Sequence, residues 1–166
     1  MKSKSTRVRK PAIAAAGAVA LATVAGVPAI TSGQAPGDQT ITVQEKVQKI
    51  SIDDVAPPSG KELSQGDRVI TTQSLSATPG GKGNLYTDCT AVGGTKKLFG
   101  GARLLCTVTY VLGDGEIVAA GSFGLGADSD LAIVGGTGAY EGASGTVESA
   151  KPAKGFDSAD LITISG

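Results

Sequence analysis

The 166-residue sequence contains no histidine and no tryptophan, and aromatic residues make up only 4% of it. Catalytic serine and cysteine nucleophiles usually depend on a histidine base. Zinc sites normally use three or four protein ligands, most often Cys and His, and the chain has only two cysteines. The missing histidine therefore argues against the common hydrolase and transferase mechanisms and against a zinc site.

Basic residues are scarce outside the first 35 positions. All 15 acidic residues but only 10 of the 15 basic ones follow Ala35, which gives that part of the chain a net charge of −5. Nucleic-acid binding depends largely on Lys and Arg contacts to phosphates, and base stacking requires aromatic side chains. We therefore expect no nucleic-acid partner.

The N-terminal segment has the pattern of an export signal. "MKSKSTRVRK" carries five basic residues and no acid, and the uncharged "PAIAAAGAVALATVAGVPAI" follows it. This pattern, with small residues before Ala29 or Ala35, is typical of a cleaved signal peptide; an uncleaved membrane anchor is the alternative. We expect residues 1–35 to be a Sec-type signal peptide and short leader. Residues 36–166 would then form a single secreted, extracellular domain with no membrane contact after cleavage.

Cys89 and Cys106 are the two cysteines of the chain. In an exported protein such a pair is typical of a disulfide, whereas two cysteines without histidine make a poor metal site. The bond would stabilise the fold by about 3 kcal/mol in the chain-entropy model. Because side chains alternate along strands, the pair also predicts a shared, mainly apolar face for residues 85–91 and 104–112.

Short runs rich in Val, Ile and Thr recur between glycine and proline clusters. Seven or eight such runs, without a strong helical period, predict an all-β sandwich or closed barrel. In "ITVQEKVQKISIDDV" the apolar positions shift by one residue, which predicts a bulge near Lys49; an amphipathic helix over residues 43–50 is the alternative. "GDGE" predicts a hairpin that turns at Asp114 and Gly115.

The stretch "DLAIVGGTGAYEGASGTVES", residues 130–149, begins like a nucleotide-binding loop. A dinucleotide fingerprint needs a glycine where this chain has Glu141, and a helix after it. Neither is present, so we expect no dinucleotide here. The glycines instead predict a sharp turn and close strand packing, with Tyr140 covering one end of a barrel. The motif glycines are Gly135, Gly136, Gly138, Gly142 and Gly145.

"LAIVGGTGAYEGASGTV" resembles the signature of the allene oxide cyclase-like and dirigent-like barrels. "ISIDDVAPPSGKELSQGDRVITTQSL" is similar to the first two strands of that family, and "DCTAVGG" with "LLCTVTYVLGDGEIVAAGSF" to the paired-cysteine hairpin of its secreted bacterial members. The resemblance covers residues 40–166 and implies an eight-stranded antiparallel, calycin-like barrel with an apolar cavity. It also implies an apolar small-molecule ligand, a trimeric or dimeric homo-oligomer, and no metal or organic cofactor.

The resemblance places a catalytic acid at the end of the first strand, where Asp54 matches best and Asp53 is the alternative. Dirigent proteins have an arginine in the glycine motif where this chain has Ser144, which argues against their reaction. Asp67, in "QGD", is expected to bond its own backbone in a turn. The tyrosines that are candidates for the cavity are Tyr86, Tyr110 and Tyr140.

Three functions fit these observations. The first is a cyclase-like isomerase or dirigent-like protein that holds an apolar substrate in one conformer. The second is a non-catalytic, lipocalin-like binding protein, and the third is a secreted structural or interaction module with a filled barrel. A cavity of roughly a few hundred Å³ is expected for the first two.

Overall fold

A computed structural model describes residues 37–55, 62–93, 96–97, 102–124, 127–150 and 157–165. Eight strands of this part close an antiparallel barrel in the order β1-β10-β9-β8-β7-β6-β4-β3, and β2 pairs separately with β5. The strands are β1 (Gln39–Asp53), β2 (Glu62–Leu63), β3 (Arg68–Thr78), β4 (Gly81–Ala91), β5 (Lys96–Lys97), β6 (Arg103–Leu112), β7 (Gly115–Gly124), β8 (Ser129–Gly138), β9 (Ser144–Ala150) and β10 (Ala159–Ser165). The prediction of an all-β, eight-stranded antiparallel barrel is confirmed.

The predicted signal peptide, residues 1–35, lies outside the described residues. In the ranges that the structure does describe, we find no helix with the length and apolar character needed to cross a bilayer. The disulfide described next is compatible with an extracellular protein, and export stays a prediction.

Cys89 on β4 and Cys106 on β6 lie directly opposite each other and form the predicted disulfide. Their register places alternate residues of both strands on the inner face of the barrel. The predicted shared face is buried, because each of its members is at most 7% exposed: Leu85, Thr87, Cys89, Ala91, Leu104, Cys106, Val108, Tyr110 and Leu112. The opposite faces of the same strands point outward.

A bulge interrupts β1, as the sequence predicts. The pairing of β1 with β3 shifts register between Val47 and Lys49, so that Gln48 is the extra residue. Before the bulge the strand buries Ile41 and Val43, and after it Ile52 is 46% exposed. The alternative of a helix over residues 43–50 is wrong. Because of the extra residue, the alternating set of side chains that faces the interior differs between the two halves of β1.

Two turns differ in position from the sequence prediction. Leu112 pairs with Gly115, so the hairpin turns at Gly113 and Asp114, one residue earlier than predicted. In the glycine motif, β8 continues through Gly138 and the chain turns only at residues 139–142. The first glycines of the motif therefore lie within a strand, where they pair with β7.

Two motif glycines have clear steric reasons. Gly138 has a φ of +62°, a left-handed conformation that costs L residues energy. At Gly145 φ is +134°, and a Cβ atom there would lie 2.0 Å from the carbonyl oxygen of Thr163 on β10. The predicted close strand approach is therefore found at Gly145.

We expect Gly145→Ala to lower the free energy of unfolding by about 2–4 kcal/mol, because the methyl group collides with the backbone of β10 in a strained conformation. Gly93→Ala is the matched control, since a Cβ there meets only Arg103 at 3.9 Å. Urea unfolding followed by circular dichroism measures both variants. Equal stability of the two would show that the close approach is absent.

Candidate functional site

A cavity occupies the half of the barrel in which β7 ends and β8 begins. Its wall is mixed, with apolar side chains from β3, β4, β6 and β8 and polar ones from β1, β3 and β10. The lining residues are Glu45, Val47, Val69, Thr71, Gln73, Leu85, Thr87, Cys89, Val108, Tyr110, Phe123, Gly124, Ala127, Ser129, Leu131, Ser149, Ala150, Ser158 and Asp160. The other half of the barrel is filled by core side chains such as Ile41, Ile117 and Ile164.

The cavity has a volume of about 100 Å³ and is partly open to solvent. Sites that enclose a drug-sized ligand usually measure about 300–1,000 Å³. The cavity formed by the described residues is smaller than the few hundred Å³ expected from the sequence. An engineered cavity of about 150 Å³ is enough to hold benzene. The barrel cavity is smaller, at about 100 Å³, so a ring would lie partly in the opening and a larger ligand would extend through it.

Tyr110 and Asp160 form the floor of this cavity. β6 and β10 lie on opposite sides of the closed strand order, so the two side chains meet across the barrel interior. The hydroxyl of Tyr110 donates a hydrogen bond to Oδ2 of Asp160, and the two residues are only 1% and 5% exposed. This bond separates the open half of the barrel from the filled half.

Glu45 lies beside Asp160 on the cavity wall. Val43 of β1 pairs with Asp160 of β10, so Glu45, the next inward residue of β1, is its diagonal neighbour. The Oγ of Ser158 donates to Oε2 of Glu45 at 2.8 Å, and the side chain of Gln73 also hydrogen-bonds this carboxyl group. Glu45 is 6% exposed, so two carboxyl groups are buried next to each other.

Glu45 keeps its proton at neutral pH. Burial, the hydrogen bond with Asp160 and the charge of Asp160 together raise the pKa of Glu45 from 4.5 to about 9. Adjacent buried carboxyls cannot both ionise at low cost, so the proton stays on Glu45 at neutral pH. Burial, followed by the charges of Asp160 and Glu45, raises the pKa of Tyr110 well above its usual value. Tyr110 therefore stays a hydrogen-bond donor.

Several buried oxygens at the site have no hydrogen-bond partner among the residues that the structure describes. They are Oε1 of Glu45, Oδ1 of Asp160, Oε1 of Gln73 and Oγ1 of Thr71. Protonated Glu45 hydrogen-bonds Asp160, but the oxygens of Gln73 and Thr71 still face the cavity as open acceptors. No group of three or more Cys, Asp or Glu side chains in the described ranges is placed to hold a metal ion.

Asp53 and Asp54, the acids predicted at the end of the first strand, lie on the surface. Asp53 is the last residue of β1, Asp54 follows it, both are exposed, and neither lines the cavity. The bulge at Gln48 changes which residues of β1 face inward before the strand reaches them. A catalytic role for either stays a prediction, and the β1 acid in the cavity is Glu45.

The three candidate tyrosines lie in three different environments. Tyr110 lines the cavity. Tyr86 is on the outer face of β4, where it is 48% exposed, so it cannot reach the interior. Tyr140 is 3% exposed in the turn after β8 and packs in the core, but the cavity lining does not include it.

Asp67 and Ser144 have structural contacts rather than cavity positions. Asp67 accepts backbone N–H bonds from Val55 at 3.0 Å and from Ser64 at 2.7 Å, and these bonds lower its pKa. This agrees with the predicted turn role. Ser144 is exposed and donates to the carbonyl oxygen of Ser165 at 3.0 Å. The position at which dirigent proteins have arginine therefore contributes no charge to this cavity.

Sequence reasoning missed Glu45, Asp160 and Gln73, although a signal for each was present. Glu45 follows Ile41 and Val43 in the same alternating phase, and Asp160 precedes Ile162 and Ile164 in the phase of β10. Gln73 likewise alternates with Val69 and Leu75. A polar residue in the apolar phase of a barrel strand is buried by its register, so such positions are the ones to examine for a site.

No protein-family model matches the sequence, and no curated protein is significantly similar to it. Solved structures do match. "Pyocyanin demethylase" is 24% identical with a TM-score of 0.64, over 76% of this chain and 100% of that one. The exo-specific intermolecular Diels-Alderase AbnU is 16% identical with a TM-score of 0.58, over 78% and 99%. The pterocarpan synthase dirigent protein PsPTS1 is 21% identical with a TM-score of 0.54, over 76% and 91%. The chain therefore has the barrel fold that dirigent proteins and cyclase-like barrels share.

Proposed function

We propose that the barrel binds a small molecule by one ring and steers its cyclisation through proton transfer with the Glu45–Asp160 pair. The observation that carries this proposal is a buried carboxyl pair on the wall of a small, partly open cavity, in which burial and Asp160 raise the pKa of Glu45. General acids and bases are most effective when they hold or release a proton near neutral pH. The fold supports the proposal, because the structural neighbours include a Diels-Alderase and a dirigent protein.

The chemistry of the pair suits an isomerisation. Protonated Glu45 donates its proton to an electron-rich atom of the ligand, and the pair then takes one proton back from another ligand atom. The number of protons and electrons on the protein is unchanged at the end, so no co-reactant is consumed. Tyr110 holds Asp160 in place through its hydrogen bond, and the narrow cavity restricts the ligand to few conformers.

The ligand is the first thing to identify. Native mass spectrometry of the protein purified from its own culture fluid, without denaturation, reports a retained molecule, the oligomeric state and the site of cleavage together. A retained ring compound supports the proposal. An empty protein that also takes up no ring compound in titrations would favour the structural or interaction module.

We expect Glu45→Gln to reduce turnover of that ligand by at least about 100-fold, because general acid–base catalysis usually contributes about 10²–10⁴-fold. Binding should change little, since glutamine has the shape of the protonated acid. Glu141→Gln is the control, because Glu141 is an exposed glutamate in the turn after β8. Product formation and ligand affinity are measured for each variant.

Two other outcomes would contradict the proposed role. Full turnover in Glu45→Gln, with binding intact, would remove the pair from catalysis and favour a lipocalin-like carrier. Loss of turnover in Asp54→Asn but not in Glu45→Gln would place the chemistry at the end of β1, as the resemblance predicts.

A further inference from the structure

A negative charge on the carboxyl pair has no basic partner among the lining residues that the structure describes. Among the described lining residues there is no Lys and no Arg. Arg68 does pair with a carboxyl group, that of Asp88, but this ion pair lies on the barrel exterior, where both side chains are about half exposed. Buried charges in proteins are normally paired, and the described part of the cavity wall leaves a charge on the carboxyl pair without a basic partner.

Hydrogen-bond donors are missing at the same place. Gln73, Glu45 and Asp160 are each more than nine-tenths buried, and each has a side-chain oxygen without a protein partner on the cavity wall. When protonated Glu45 bonds Asp160, Oε1 of Gln73 remains an open acceptor beside the carboxyl pair. Unsatisfied buried acceptors are costly and are normally bonded. The wall therefore presents several acceptors and one negative charge to whatever occupies the cavity.

We infer that the cavity selects a small organic cation, a protonated amine on a ring or short apolar stem, with its ammonium group against Glu45, Asp160 and Gln73. The inference rests on the proposed function, since it names the ligand class of the same cavity. An ammonium group has three N–H donors and one positive charge, which are the two things the wall lacks. The apolar stem would lie against the opposite wall, which Leu85, Val108 and Leu131 line.

Three compounds of nearly equal shape test this inference: benzylammonium, benzyl alcohol and benzoate. We expect benzylammonium to bind the wild-type protein at least tenfold more tightly than benzyl alcohol at pH 7, and benzoate not to bind. NMR titration gives the three dissociation constants, and the methyl signals of Leu85, Val108 and Leu131 report whether the ligand is in the cavity. Equal or tighter binding of the alcohol would overturn the inference.

Variants of the pair separate charge from shape. Glu45→Gln still leaves one carboxylate, so we expect the preference for the ammonium to persist. The double variant Glu45→Gln/Asp160→Asn has no charge at this site. It should bind benzylammonium and benzyl alcohol with affinities that agree within about twofold, since the Coulomb attraction is removed. A preference that survives in the double variant would contradict the inference. If the double variant does not fold, the wild-type ranking decides alone.

The experiments can contradict the proposed ligand class without contradicting the proposed reaction, and the reverse is also true. If benzylammonium is preferred but Glu45→Gln retains full turnover of the native ligand, the cation site stands and the proton-transfer role is wrong. If turnover depends on Glu45 while the alcohol binds as well as the ammonium, the reaction stands and the cation site is wrong.

Discussion

Between pH 5.5 and 8.5 we expect the protein to lose about 4 kcal/mol of unfolding free energy, and Glu45→Gln to remove most of that loss. The pKa of Glu45 is raised from 4.5 to about 9 in the fold, so over this range the unfolded chain has released a proton that the folded chain keeps. Stability is then fully present below the unfolded pKa and falls as pH rises towards the folded pKa. The limiting slope is about 1.4 kcal/mol per pH unit.

Other carboxyl groups act outside this window. Hydrogen bonds from Val55 and Ser64 lower the pKa of Asp67, and Arg68 lowers that of Asp88. Groups of this kind contribute stability above their unfolded pKa and lose it as pH falls below about 4. We therefore expect the stability maximum of the wild-type protein to lie near pH 5.

Urea unfolding at half-unit steps from pH 5 to pH 9, followed by circular dichroism, measures this effect. Glu45→Gln should match the wild type at pH 5 and become the more stable protein at pH 8. Glu141→Gln, which replaces an exposed glutamate, should follow the wild-type profile throughout. Parallel profiles for the wild type and Glu45→Gln would show that the buried pair does not hold a proton.

Removing the disulfide is the second large effect that we expect. Replacing Cys89 and Cys106 together with alanine should lower the free energy of unfolding by about 3 kcal/mol, because the bond closes a loop of about 18 residues in the unfolded chain. Both residues are buried in the barrel core, so lost packing adds to the chain-entropy term. The inner face of β4 and β6 should remain formed, since the register of the two strands rests on eight paired positions.

Urea unfolding of the double alanine variant, compared with the oxidised wild type, measures the loss. Nearly unchanged chemical shifts of the β4 and β6 amides would show that the strand register survives. A loss below about 1 kcal/mol would mean that the bond contributes little to stability and that the strands alone hold this part of the barrel.

Much of the barrel could be predicted from local chemistry. Alternation in "RLLCTVTYVL" identified the inner face of β6, and the phase shift near Lys49 identified the bulge. These features depend on neighbouring residues, so a sequence displays them directly. The predicted position of the hairpin turn differs by one residue from the observed one, because Asp114 has a glycine on each side and either pair of residues suits a tight turn.

The site was not predictable in the same way. Glu45, Gln73, Tyr110 and Asp160 come from four strands that are far apart in the chain, and their meeting depends on barrel closure. The bond between Tyr110 and Asp160 crosses the interior, so no local pattern contains it. The resemblance directed attention to Asp53 and Asp54, but β1 ends at Asp53 and both residues are exposed outside the cavity. The available signal was a polar residue that alternates with apolar residues along a strand. This signal identifies a buried position only once the strand register is known.

The most direct test of the account is the protonation state of Glu45 itself. A ¹³C NMR titration of the side-chain carboxyl carbons from pH 3 to pH 10 follows each carboxyl group, and the signal absent from Glu45→Gln identifies Glu45. We predict that this signal titrates with a midpoint near pH 9, as the raised pKa of about 9 requires. A midpoint near the ordinary value of 4.5 would contradict the protonated state of Glu45 and the function built on it.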